Sequence, residues 1–193
     1  MTLPAPGFAD PVAQSQSAFR ALLDATARPG TLVALPPPDG VPEGLSIAQA
    51  AIALALLDGD TQIWLAPGCA AARPWIAFHT GAPATDDPKR ARFAFVGGIE
   101  DLPGPGAFDL GSDAYPDRST TLVVETPGLG AAGDFVLSGP GIAGTTRAHL
   151  PLPDAFLAGR AGLAELFPRG LDILLTHGAK AMALPRTTRV ERI

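Results

Sequence analysis

Apolar runs alternate with breaker-rich stretches along the chain, and the period of each run predicts an element. Asp10 is placed to cap a helix that has Pro11 at its first position. Phe19, Leu22, Leu23 and Thr26 share one helical face before Pro29-Gly30 ends the run, and residues 31–35 read as a strand closed by three prolines. Ser46 with Gln49 three residues on is a capping-box pattern. It heads an almost wholly apolar helix through Leu57, which predicts burial on more than one side.

The pattern continues with a short strand over 62–65 and a helix carrying Trp75, Ile76 and Phe78, stopped by Gly81 and Pro83. A third strand covers 92–96. Residues 97–118, rich in Gly, Pro and Asp, predict a long irregular excursion of the kind that is often functional. Strands follow at 120–125 and 135–138, then a helix over 153–166 with Asp154 in its first turn, a buried strand at 172–176 and its hairpin partner at 182–184. Residues 186–193 read as a tail. Helices alternating with strands early and strand pairs late predict an α/β fold, a three-layer sandwich with a mixed central sheet.

Composition narrows the reading. A chain of 193 residues with 47% hydrophobic and 17% charged positions predicts one domain spanning residues 1–193, with a substantial core. Its 22 glycines and 21 prolines lie between apolar runs, which calls for many turns. A formal charge of −5 argues against general nucleic-acid binding, which draws on cations facing phosphates. The single cysteine, Cys69, rules out an internal disulfide and a cysteine-ligated iron–sulfur cluster held by this chain alone. Met1 to Gly7 has neither the basic start nor the apolar stretch of a signal peptide, and no apolar run reaches the ~18 residues of a membrane span. The expectation is a cytoplasmic protein with no membrane partner.

Most chemical motifs have plain structural explanations. Gly128-Leu129-Gly130-Ala131-Ala132-Gly133 matches G-x-G-x-x-G, but Asp134-Phe135-Val136-Leu137 has strand character where a dinucleotide site needs a helix N-terminus. The two lysines, Lys89 and Lys180, sit in no phosphate loop. Lys180 follows a buried strand, where a pyridoxal-phosphate Schiff base can form, yet His177-Gly178-Ala179-Lys180 reads as a hairpin turn. His79, His149 and His177 lack metal-ligand spacing, and Cys69 in its alanine-rich stretch reads as apolar filling. Phe78-His79-Thr80-Gly81-Ala82-Pro83 reads as a helix C-terminus, with His79 and Thr80 left as candidate ligand contacts. Pro185-Arg186-Thr187-Thr188-Arg189 gathers guanidiniums and hydroxyls, so Arg186, Thr187 and Thr188 are candidates to meet a phosphate or a partner's carboxylates.

Taken in order, several segments resemble the PhnH family, a subunit of the bacterial carbon–phosphorus lyase core complex. They are Phe19-Arg20 with Leu22-Leu23 and Pro29-Gly30; Asp60-Thr61 with Trp64-Leu65; Phe78-His79-Thr80 with Ala82-Pro83; Gly139 with Gly141-Ile142; Phe167-Pro168 with Gly170-Leu171-Asp172; and Pro185-Arg186-Thr187-Thr188. The set spans nearly the whole chain, while the loop at 128–133 and the basic tail end depart from it.

The resemblance implies an α/β fold similar to the large domain of pyridoxal-phosphate-dependent transferases but without the cofactor. It implies a required subunit of an assembly that replaces the adenine of ATP by an alkylphosphonate, giving a ribose 1-phosphonate 5-triphosphate. Carbon–phosphorus cleavage follows by iron–sulfur radical chemistry on a different subunit. Sister subunits are the implied partners, with a homodimer when isolated and no catalysis by the chain alone. Two rival readings remain at this point: a free-standing pyridoxal-phosphate enzyme using Lys180, and a small phosphate-ligand binding module built on His79 and Arg186.

Overall fold

The computed structural model describes residues 4–193; the first three, part of the Met1–Gly7 stretch read above, lie outside the described residues. Helix α1 spans Pro11–Ala27, and the Asp10 carboxylate accepts from Ala13 N at 3.0 Å, as its capping pattern requires. Strand β1 is Leu32–Ala34 and helix α2 is Ile47–Leu56. The Ser46 hydroxyl accepts from Gln49 N at 3.2 Å while Gln49 Oε1 accepts from Ser46 N at 3.1 Å, a reciprocal capping box. Six consecutive residues of α2, Ala48 to Ala53, are fully buried, which matches its near-uniform apolarity. Strand β2 (Ile63–Leu65), helix α3 (Arg73–Thr80) and strand β3 (Phe93–Val96) follow. Residues 97–118 hold only short 3-10 turns before β4 (Thr121–Glu125).

The remainder is β5 (Gly130–Ser138), β6 (Thr146–His149), α4 (Asp154–Gly162), β7 (Asp172–His177), β8 (Lys180–Leu184) and β9 (Arg189–Arg192). One six-stranded sheet runs β1-β8-β7-β4-β3-β2, and a second, three-stranded sheet runs β6-β5-β9. In the first, β7, β4, β3 and β2 are mutually parallel, and β8 is antiparallel to both β7 and β1, so the sheet is mixed.

Side chains on the central strands alternate between two cores, as the period of two demands. Phe95, Val123, Leu174, Ala181 and Ala183 join the core with α1, α2 and α3. Ala94, Val96, Leu122, Val124, Ile173, Leu175, Met182 and Leu184 join the opposite core with Phe135, Leu137, Ala148 and Phe156. The layers are therefore helices, the six-stranded sheet, and a small sheet with α4.

Three readings are refined. The buried stripe of α1 is Ala18, Leu22 and Ala25, while Phe19 and Leu23 remain about half exposed and line a shallow apolar groove with Thr26. β5 begins at Gly130, so the glycine-rich segment is strand from its third residue onward. The tail contains β9, which pairs antiparallel with β5 (Val136 opposite Glu191), and β6 flanks β5 on its other side.

Candidate functional site

The chain leaves the large sheet at the end of β8, makes a turn closed by Thr188 N donating to Pro185 O at 2.9 Å, and enters the small sheet as β9. This turn carries Arg186, Thr187 and Thr188 from the sequence analysis. Asp172, at the start of β7, accepts from Arg186 N at 2.8 Å and pairs with the guanidinium at 2.6 Å. Arg186 Nε faces both Asp172 oxygens, one terminal nitrogen donates to Pro116 O (2.7 Å) and Pro168 O (3.2 Å), and the other also donates to Ser119 Oγ (2.7 Å). All five donors of the fork thus meet acceptors within the chain. Arg186 ties the long excursion, the segment before β7 and the turn into one unit. Gly139 backs the turn: its φ of 133° is closed to other residues, and a Cβ there would lie 2.8 Å from Thr187 O.

Arg160, near the end of α4, supports the same turn from beneath. Its guanidinium donates to Thr188 O at 3.0 Å and Pro185 O at 2.6 Å, yet only 8% of the residue is exposed and no carboxylate among the described residues pairs with it. Burial pulls this guanidinium down to about 10, against the pull of Asp172, so it is still charged at neutral pH. α4, the segment following it and residues 186–191 enclose a cleft of about 410 Å³ lined by Arg160, Arg169, Arg186, Arg189, Thr187 and Thr188 among others. Sequence reasoning missed Arg160. The available signal was its spacing of four from Phe156, which puts it on the buried face of α4.

His79 and Thr80 lie elsewhere and are held locally. The His79 ring donates from Nε2 to Ala5 O at 2.9 Å, Trp75 Nε1 donates to the same oxygen at 2.8 Å, and the two rings meet at a tilt of 55° with 4.7 Å between their centres. Thr80 Oγ1 donates to Ile76 O and accepts from Ala82 N, closing the helix end where Gly81 takes the left-handed conformation. His79 and Trp75 fasten the N-terminal segment onto α3, and Thr80 closes that helix. No hydrogen bond among the described residues links His79 or Thr80 to the Arg186 turn, and neither residue lines the cleft.

Lys180 opens β8 opposite His177 across the two-residue Gly178-Ala179 hairpin and is exposed. Cys69 is fully buried, and burial first, then Asp101 and Glu125, raises its thiol to about 12. The thiol therefore resists alkylation in the folded protein at pH 8 and reacts on addition of denaturant; equal iodoacetamide labelling in both states would contradict the structure. Because the neutral thiol is favoured by folding, its contribution to stability is present below pH ~9 and is lost as the unfolded thiol ionises between ~9 and ~12.

The family model described as bacterial phosphonate metabolism protein (PhnH) matches residues 6–191, which takes in α1, the Arg186 turn and most of β9. The chain belongs to the PhnH family. It is 46% identical over 188 residues to the Rhizobium meliloti (strain 1021) protein named alpha-D-ribose 1-methylphosphonate 5-triphosphate synthase subunit PhnH, covering 96% of this chain and 94% of that one. It is 28% identical over 186 residues to the Stutzerimonas stutzeri protein HtxG, covering 92% and 86%. The Arg160 and Arg186 hydrogen bonds thus lie within the matched part of a PhnH-family chain.

Proposed function

We propose that this chain is a required subunit of the phosphonate-degrading carbon–phosphorus lyase complex, supporting the replacement of the adenine of ATP by an alkylphosphonate and not catalytic alone. The end-to-end likeness to the Rhizobium subunit carries this reading. Its chemistry-bearing side chains support it: the Cys69 thiol is buried, Lys180 is a solvated hairpin residue, and His79 and Arg186 are occupied in holding the fold. Arg186, Thr187 and Thr188 are read as the ligand- or partner-facing turn, with Arg186 positioning it. His79 and Thr80 are read as a second contact surface at the end of α3.

Affinity capture of the tagged chain from phosphate-starved cells is expected to retain sister subunits in fixed ratio. Recovery of the chain alone would remove the assignment, as would phosphonate or nucleotide turnover by the purified chain without companions. We also infer a single cytoplasmic domain related to the large domain of pyridoxal-phosphate-dependent transferases without the cofactor. The parallel run β7-β4-β3-β2 with helices packed on it supports that relation, and among the described residues no helix is long and apolar enough to cross a membrane. The isolated chain is read as a homodimer. Val12, Phe19 and Leu23, exposed along α1, support a surface that pairs with a second copy, and sedimentation gives the mass that decides it.

A further inference from the structure

We propose that the cleft between α4 and the β8–β9 turn binds a small tetrahedral oxyanion, a phosphoryl or phosphonyl group, through Arg160 at its floor, Arg189 at its rim and the Thr188 hydroxyl. Four arginines line the cleft against one carboxylate, Glu191, in a chain whose net charge is −5. Two of the four are already matched: Arg186 is held by Asp172, and Arg169 pairs with Asp113 at 3.1 Å. Arg160 and Arg189 have no carboxylate partner among the described residues.

The state of Arg160 points most directly to a ligand. A buried cation is stable when it is paired and fully hydrogen-bonded. Arg160 makes two hydrogen bonds, both to carbonyls, and its buried Nε has none. The Thr188 side chain, 2% exposed, is in the same position: its Oγ1 has no partner among the described residues. Two unsatisfied polar groups thus belong to residues that line a cleft with excess positive charge. A carbonyl strut needs neither the surplus donors nor a second unpaired arginine on the rim. A tetrahedral oxyanion supplies acceptors and countercharge together, in the fork geometry guanidinium groups favour. The site itself rests on this geometry. Its assignment to a phosphonate or to the triphosphate of a ribose product rests on the function proposed above.

Titration of the full chain with methylphosphonate, tripolyphosphate and inorganic phosphate, at constant ionic strength balanced with chloride, tests the site. Binding by calorimetry is expected for at least one probe, with a matching rise in Tm. Whether methylphosphonate or tripolyphosphate binds more tightly identifies the source of the oxyanion. Arg160 also holds the turn, so the decisive variants are Arg189→Gln and Thr188→Val. Each is expected to weaken binding ~10-fold or more, the loss expected of a hydrogen bond to a charged group. Thr188→Val should at the same time raise the Tm of the free protein, because it removes a buried hydroxyl that has no partner. No binding by any probe at millimolar concentration, or wild-type affinity in both variants, would overturn the site. Retained sister subunits in the capture experiment would then leave the subunit assignment standing, so the two proposals fail separately.

Discussion

Arg186→Met lowers the stability of the fold by about 3 kcal/mol, the cost of breaking a largely buried ion pair and leaving its partner behind. The side chain is 16% exposed and Asp172 36%, so the stranded carboxylate is only partly relieved by water. The Pro116 and Pro168 carbonyls and the Ser119 hydroxyl lose a donor in the same step. For a chain of this length the expected fall in Tm is roughly 6–12 °C. Arg186→Lys should recover only part of it, because an ammonium on a flexible stem cannot serve Asp172, Ser119 and two carbonyls at once. A thermal scan of both variants checks the argument, and a methionine variant melting with the wild type would refute it.

Gln49→Leu is the second large effect. Gln49 is fully buried in the first turn of α2, and beyond its half of the capping box its Nε2 donates to Val96 O at 2.9 Å and Val123 O at 3.3 Å. One amide therefore seats the helix N-terminus on β3 and β4. Leucine fills the space but leaves the Ser46 amide and both carbonyls without it, a loss of about 2–4 kcal/mol as these penalties accumulate. Ser46→Ala removes a single capping contact and should cost about 1 kcal/mol. Urea midpoints for the two variants should differ severalfold in their displacement from wild type; equal displacements would mean that the carbonyl contacts contribute nothing.

What was legible in the sequence divides along the same line. Capping, spacing and breaker residues are local, so Asp10 with Pro11, Ser46 with Gln49, and Gly81 after Thr80 announced their helix ends. The reach of Gln49 to residues 47 and 74 positions away was not encoded nearby. β6 and β9 escaped because Thr-Arg-Ala-His and Arg-Val-Glu-Arg each carry one apolar side chain, enough for a small sheet packed on one face but too little to show a period. The site followed suit. The Arg186 turn stood out by composition, whereas Arg160, the one cation in an alanine- and glycine-rich helix, looks like a solvent-facing residue until Phe156 sets the buried face.

The sheet order has a cost during synthesis. Leu32 pairs with Met182, 150 positions later, and within its sheet β1 has β8 as its neighbour. Strand β1 must therefore wait on the ribosome until almost the whole polypeptide has emerged, with apolar surface uncovered meanwhile. Cellular yield should then depend on chaperone supply, and substitutions over 180–184 should reduce it more than their effect on the finished protein's equilibrium stability would suggest.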